Sequence, residues 1–275
     1  MLRFLFSTFT CLILFGAPAV VYGEHGGKVQ ILLLGDSTTE GSVPRRLEPQ
    51  GPHLEQVIEK LLEMESDLPT CRVINSGVSG EYVRRLIDSG RYDRDVADLP
   101  GIDYIMIRYG INDQARLENF VDDFPNDLKE LLGRLRKDHA NAELILVTNI
   151  PYLGPDRTEQ VNGLIKRVAE EEDLPVFDLH PGYRTALAQG RNMLNYRRFP
   201  LERIPEAYHA WLQPRVHGGR VEVMDNELDA IFGHLPGWYD DRHPNLAGYN
   251  VIAVETTNYL APLLRLKFVG KQADE

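Results

Sequence analysis

Residues 31–38 read ILLLGDST, a short apolar run that ends abruptly in Gly35-Asp36-Ser37. A continuous apolar run of this length, followed by turn residues, predicts a buried strand, and glycine permits a sharp exit from it. Open α/β sheets hold their ligands at the carboxyl ends of strands, which is where Ser37 would lie. Taken alone, the tripeptide is more typical of an ordinary helix N-cap at Asp36 or Ser37. Its meaning therefore depends on the rest of the chain.

Strand-like and helix-like stretches alternate beyond this run. Strands are predicted at residues 29–34, 71–75, 102–107, 144–148 and 176–179. Helical spacing of apolar residues occurs at 53–65, 124–135, 159–171 and 245–264. This alternation predicts an α/β fold, with a parallel sheet covered by helices on both faces.

The stretch 180–237 has a different character. It shows many turn residues and aromatics, and we predict no clear strand in it. We expect an insertion that shapes the substrate site, inside a single domain that spans residues 24–275.

The composition is that of an ordinary globular protein. The 275 residues are 43% hydrophobic and 26% charged, and the formal net charge is −11. Such an acidic surface argues against nucleic acid as a partner, because phosphate binding needs clustered lysine and arginine.

Residues 1–23 have the pattern of a bacterial-type signal peptide. Arg3 is followed by an apolar stretch and by small residues, and we favour cleavage after Gly23. An uncleaved anchor is the alternative, but Gly16 and Pro18 leave the apolar stretch short for a membrane span. We therefore expect a secreted or periplasmic protein with no stable membrane span. Cleavage would leave Cys71 as the single cysteine, which excludes an internal disulfide and favours a structural thiol on a strand.

Polar clusters follow the second and third predicted strands and precede the last predicted helix. They are NSGVSG at residues 75–80, GIND at 110–113 and DDRHP at 240–244. Because the ends of parallel strands lie along one edge of a sheet, these clusters should converge on Ser37.

Their chemistry fits acyl transfer. A serine hydroxyl needs an adjacent base, for which His243 is suited, and the base needs a carboxylate such as Asp240 to hold its tautomer. The backbone N–H groups of Ser37 and Gly77 and the side-chain amide of Asn112 are candidate donors for an oxyanion hole. This chemistry requires no metal and no cofactor, and the scattered histidines of the insertion match no short metal-ligand motif.

These four clusters resemble those of the SGNH (GDSL-type) hydrolase superfamily, whose blocks carry Ser, Gly, Asn and His in that order. Here they correspond to Ser37, Gly77, Asn112 and His243. The resemblance implies a flavodoxin-like three-layer α/β/α sandwich with a five-stranded parallel sheet, and ester hydrolysis by a Ser-His-Asp triad. The family spacing also selects Asp240 over its neighbour Asp241 as the triad acid.

The expected function is an exported serine esterase that cleaves short-chain esters, with acetyl esters of carbohydrates favoured. A lysophospholipase or thioesterase of the same superfamily is the alternative enzyme, and a non-catalytic carbohydrate-binding protein with this fold is the alternative from another class. The expected partner is a small ester or an acylated glycan, and the oligomeric state stays open. Trp238 and Tyr239 immediately precede Asp240, so they could either stack on a sugar or pack the loop.

Overall fold

The structure is a computed structural model that describes residues 27–47, 49–152, 155–189, 197–224, 226–239 and 243–269. The proposed signal peptide at residues 1–23 lies outside these ranges, as does Asp240. The strands of the described residues are β1 (Val29–Gly35), β2 (Cys71–Gly77), β3 (Tyr104–Arg108), β4 (Glu143–Val147), β5 (Val176–Phe177), β6 (Arg197–Pro200), β7 (Val216–His217) and β8 (Arg220–Val223).

Helices alternate with the first five strands. They are α1 (Ser37–Glu40), α2 (Ser42–Leu47), α3 (Leu54–Glu63), α4 (Val83–Asp88), α5 (Arg91–Asp95), α6 (Ile111–Arg116), α7 (Phe120–Asp138), α8 (Pro155–Glu171), α9 (Leu179–Ala188), α10 (His209–Leu212), α11 (Asp229–Phe232) and α12 (Leu246–Leu264). Short 3₁₀ turns occupy Leu201–Arg203, Glu206–Tyr208 and Gln213–Arg215, and α12 continues as a π-helical turn at Arg265–Val269.

Strands β1 to β5 form an all-parallel sheet in the order β2-β1-β3-β4-β5. This is the strand order of flavodoxin-like doubly wound folds, in which ligands bind where the winding reverses, between β1 and β3. The predicted five-stranded parallel sheet and its three-layer class are confirmed.

The side chains of β1 show how the layers form. Alternate residues of a strand point to opposite faces of its sheet. Ile31 and Leu33 join the apolar cluster under α3, α9 and α12, whereas Leu32 and Leu34 join the cluster under α4, α5, α7 and α8. Both faces of the sheet are therefore covered, as a near-continuous apolar strand requires.

The prediction of no strand within 180–237 is wrong. Strands β6, β8 and β7 form a small antiparallel sheet there. This sheet packs on its own apolar cluster, which includes Phe199, Val221, Phe232 and Trp238. Strand β8 reads RVEV, in which only Val221 and Val223 are buried, so its alternation is too short to stand out in the sequence.

None of the helices in the part of the chain that the structure describes is long and apolar enough to cross a membrane.

Candidate active site

The turn that follows β1 holds Ser37 in a fixed position. Asp36 is the N-cap of α1, and its Oδ1 accepts hydrogen bonds from the Thr38 backbone N–H at 2.9 Å and from Thr38 Oγ1 at 2.7 Å. Of the two residues that the sequence offered as the N-cap, Asp36 is the one, and the hydroxyl of Ser37 takes no part in capping. Burial raises the pKa of Asp36, against the hydrogen bonds from Thr38 and the charge of Arg108.

Two side chains from elsewhere in the fold bind the carbonyl groups of this turn. The Tyr249 hydroxyl, on α12, donates to the Ser37 carbonyl oxygen at 3.1 Å. The Arg108 guanidinium, at the end of β3, donates to the Thr38 carbonyl oxygen. Arg108 is buried, and burial lowers its pKa from the usual value. The Ser37 carbonyl also accepts the Gly41 N–H at 3.1 Å, and together these hydrogen bonds stabilise the turn that carries Ser37.

His243 lies against the nucleophile. Its Nε2 is 3.0 Å from Ser37 Oγ, across 206 positions of sequence, and both side chains are buried. Two residues later Asn245 caps α12 by accepting the Gly248 N–H at 3.0 Å. The longest-range contact predicted from the sequence, Ser37 with His243, is therefore present at hydrogen-bond distance. Asp240 lies outside the described residues, so its predicted role stays a prediction.

The Nδ1 atom of His243 faces a residue that the sequence analysis did not consider. Tyr152 Oη lies 3.2 Å from this nitrogen. Tyr152 follows β4, at the same sheet edge as the clusters after β1, β2 and β3. The polar end of the fourth predicted strand was the sequence signal that could have indicated it.

Gly77 lies at the end of β2, opposite Gly35 in the strand register. A Cβ atom at Gly77 would fall 2.3 Å from the Glu40 backbone nitrogen, so only glycine permits this approach of β2 to the nucleophile turn. The Gly77 N–H, however, donates to Asn75 Oδ1 at 3.0 Å. A substrate oxyanion would have to share this N–H with Asn75 Oδ1 or displace it.

Asn112 follows the third strand, at the start of α6. Its Nδ2 donates to the Glu81 carbonyl oxygen at 3.0 Å and lies 3.5 Å from Asp36 Oδ2. It therefore links the loop after β2 to the turn that carries Ser37.

Trp238 and Tyr239 differ in their exposure. Trp238 is 1% exposed and packs against Phe199 and Phe232 at ring-centroid distances of 5.2 and 5.5 Å. Of the two roles considered for Trp238, stacking on a sugar and packing of the loop, packing is therefore the correct one. Tyr239 remains 37% exposed and lies under the Arg197 guanidinium, 4.6 Å from the ring centroid.

Cys71 is half-buried on β2, and burial raises the pKa of its thiol to about 12. Such a thiol is a poor nucleophile near neutral pH, in agreement with a structural role. Among the described residues, no group of three or more His, Cys, Asp or Glu side chains is arranged to hold a metal ion.

An α/β sandwich that brings a serine hydroxyl against a histidine at the carboxyl edge of its sheet has the layout of a hydrolase. The model of the GDSL-like lipase/acylhydrolase family matches residues 33–251. The chain belongs to this family, and it is a hydrolase.

Solved structures agree on the fold. A candidate GDSL-like lipase from Parabacteroides merdae has a TM-score of 0.54 and 18% identity, over 83% of this chain and 94% of that one. Axe2, an acetylxylan esterase from Geobacillus stearothermophilus, has a TM-score of 0.53 and 21% identity, over 84% and 94%. A member of the lipolytic G-D-S-L family from Veillonella parvula has a TM-score of 0.52 and 16% identity, over 84% and 97%. No curated protein matches the chain.

Proposed function

We propose that this hydrolase is an exported serine esterase that removes short acyl groups, acetyl above all, from carbohydrates. The observation that carries the proposal is the 3.0 Å separation of Ser37 Oγ and His243 Nε2. A serine hydroxyl is a weak nucleophile by itself, and a histidine at this distance can take its proton during attack.

The reaction would follow the two-step course of acyl transfer. Ser37 Oγ attacks the ester carbonyl carbon while His243 Nε2 takes the hydroxyl proton. The protonated His243 then gives this proton to the departing alcohol oxygen, which leaves an acyl-serine. Water, deprotonated by His243, attacks the acyl carbon, and the proton returns to Ser37 as the acid departs.

Asp240 is the proposed carboxylate that holds His243 and stabilises its protonated form. It lies three positions before His243, so one short loop can present both side chains. In the structural neighbour Axe2, a serine-to-alanine and an aspartate-to-alanine variant are both described as catalytic mutants. That pairing supports a serine and an aspartate as catalytic partners in this fold.

The backbone N–H groups of Ser37 and Gly77 and the amide of Asn112 are the proposed oxyanion donors. The Gly77 N–H would be shared with Asn75 Oδ1 or released from it when it binds the oxyanion. Replacing Asn112 by alanine should lower kcat about 100- to 1,000-fold, the usual cost of removing one oxyanion donor. Unchanged kcat in this variant would exclude Asn112 from the oxyanion hole.

The choice of substrate has two supports. The proposed signal peptide would bring the protein to extracellular polysaccharides, and the neighbour Axe2 is an acetylxylan esterase. A series of p-nitrophenyl esters of increasing chain length tests the acyl preference. We expect kcat/KM to be highest for acetate, and a maximum at octanoate or beyond would favour a lysophospholipase or thioesterase instead.

Acetate release from acetylated xylan, measured against the deacetylated polymer as a blank, tests the alcohol moiety. The nucleophile is tested with Ser37→Ala, beside the matched control Ser66→Ala, whose serine is exposed near the opposite end of β2. We expect Ser37→Ala to lose hydrolysis while remaining folded and Ser66→Ala to keep it. Retained activity in purified Ser37→Ala would overturn the proposal.

A further inference from the structure

Tyr152 meets His243 in two ways. Its Oη lies 3.2 Å from His243 Nδ1, and its ring stands edge-on to the imidazole, with centroids 5.0 Å apart and an interplanar angle of 84°. His243 is thus in contact with Ser37 at one ring nitrogen and with Tyr152 at the other.

The segment that carries Tyr152 is firmly held. Asn149 and Asn162 exchange hydrogen bonds, with Asn149 N–H donating to Asn162 Oδ1 at 2.7 Å and Asn162 Nδ2 donating to the Asn149 carbonyl at 3.0 Å. Ile150 is fully buried, and the Tyr152 N–H closes a tight turn on the Ile150 carbonyl at 2.7 Å. A side chain on such a support is placed before any substrate arrives.

We propose that Tyr152 is a positioning residue for His243. The Tyr152 Oη accepts the Nδ1–H of His243 and so holds the imidazole in the tautomer that can act as a base. The inference rests on the proposed function, because it assigns His243 as the base that deprotonates Ser37. It adds to the proposed triad a neutral hydrogen-bond acceptor for His243, the Tyr152 hydroxyl, from the segment that follows β4.

The direction of this hydrogen bond follows from the chemistry at the other nitrogen. A neutral imidazole carries its proton on one nitrogen only. If Tyr152 donated to Nδ1, the proton would lie on Nε2 and point at Ser37 Oγ, where it would block proton transfer. With Oη as acceptor, Nε2 keeps its lone pair for the Ser37 proton.

The role is additional to the one proposed for Asp240. A single N–H group can be shared between two acceptors in a three-centre hydrogen bond. A phenol oxygen adds orientation without adding charge, so its loss should weaken catalysis less than the loss of a triad carboxylate.

The test is Tyr152→Phe, which keeps the edge-on ring and removes only the oxygen. We expect kcat for p-nitrophenyl acetate to fall about 2- to 13-fold, the rate equivalent of one lost hydrogen bond, with KM unchanged. Tyr259→Phe is the matched control, because Tyr259 lies outside the insertion, in the C-terminal half of α12, where its ring stacks on Phe177, and it should leave both constants unchanged.

A spectroscopic measurement separates positioning from general structural support. ¹⁵N NMR of the histidine ring should show His243 protonated at Nδ1 in the native protein, and a larger share of the Nε2-protonated tautomer in Tyr152→Phe. A native kcat and an unchanged tautomer ratio in a folded Tyr152→Phe would overturn the inference, as would a proton on Nε2 in the native protein. Either result leaves the proposed function standing if Ser37→Ala is inactive, whereas an active Ser37→Ala removes the proposed function itself.

Discussion

Glu81 and Arg91 form a buried ion pair behind the loop that follows β2. Arg91 Nε donates to Glu81 Oε1 at 2.6 Å, and the two residues are 9% and 2% exposed. The Tyr109 hydroxyl also donates to Glu81 Oε2 at 2.7 Å. Because the Glu81 carbonyl accepts the Asn112 amide, this pair fixes the backbone on which a proposed oxyanion donor rests.

Replacing Glu81 by glutamine should therefore destabilise the protein and disturb the site together. The variant leaves the buried Arg91 charge without its carboxylate, and breaking buried pairs in this way costs about 3 kcal/mol or more. Urea unfolding measures the loss, and kcat for p-nitrophenyl acetate measures the disturbance. Glu63→Gln is the control, since the Lys60–Glu63 pair is exposed at the surface. Equal stability of the two variants would contradict a structural role for the ion pair.

Asp113 gives the fold a pH dependence of its own. Its carboxylate is buried and accepts the N–H groups of Val83 and Gly110, each at 2.9 Å. Burial raises its pKa from 3.8 to about 7, in spite of both hydrogen bonds. A raised carboxyl pKa contributes stability that is fully present below about pH 4 and is lost as the pH rises through about 7.

The free energy of unfolding of the native protein should thus fall more between about pH 5 and about pH 8 than that of Asp113→Asn, which cannot titrate there. Urea unfolding at a series of pH values measures both slopes. A loss of stability in Asp113→Asn that is the same at every pH shifts its curve of unfolding free energy without changing the slope of that curve. Parallel curves for the two proteins would show that Asp113 has no raised pKa.

Asp229 links the insertion to the segment that leads into the proposed catalytic loop, residues 240–243. Its Oδ1 accepts from the Trp238 indole N–H at 2.8 Å and pairs with Arg197 at 2.9 Å. The Arg197 side chain is only 3% exposed, so loss of the carboxylate removes an ion pair from a buried cation. We expect Asp229→Ala to lower both the stability and kcat/KM, because Tyr239 directly precedes residues 240–243.

The control for this prediction is Glu227→Ala, which removes an exposed partner of Arg215 in the same insertion and should change neither property. Thermal unfolding and hydrolysis of p-nitrophenyl acetate, assayed at a temperature where both variants are folded, provide the comparison. Native activity in a destabilised Asp229→Ala would mean that the insertion does not help to position the catalytic loop.

The sequence predicted the features that depend on periodicity and on strand ends. The central strands are long enough for their apolar runs to be unambiguous, and the parallel arrangement brings the polar ends after β2 and β3 to the turn that carries Ser37. His243, which precedes the last helix, was paired with Ser37 by its chemistry and by the resemblance to the SGNH superfamily. Asn112 was placed at a strand end by the same reasoning.

Features that depend on which groups meet in the folded chain could not be predicted from the sequence. The strands of the insertion contain two to four residues, too few for a periodic signal. The spacing of Asn75 and Gly77 permits the Asx-turn hydrogen bond from the Gly77 N–H to Asn75 Oδ1, but only the structure shows that it forms. Tyr152 is recognisable only once the fold shows which strand end faces the second ring nitrogen of His243.

Covalent labelling of the native protein with a fluorophosphonate tests the central claim, that Ser37 is an activated nucleophile, most directly. The account predicts a single adduct, located at Ser37 by mass spectrometry of the peptides, and no adduct on folded Ser37→Ala. An unlabelled native protein, or an adduct on a different serine, would contradict it.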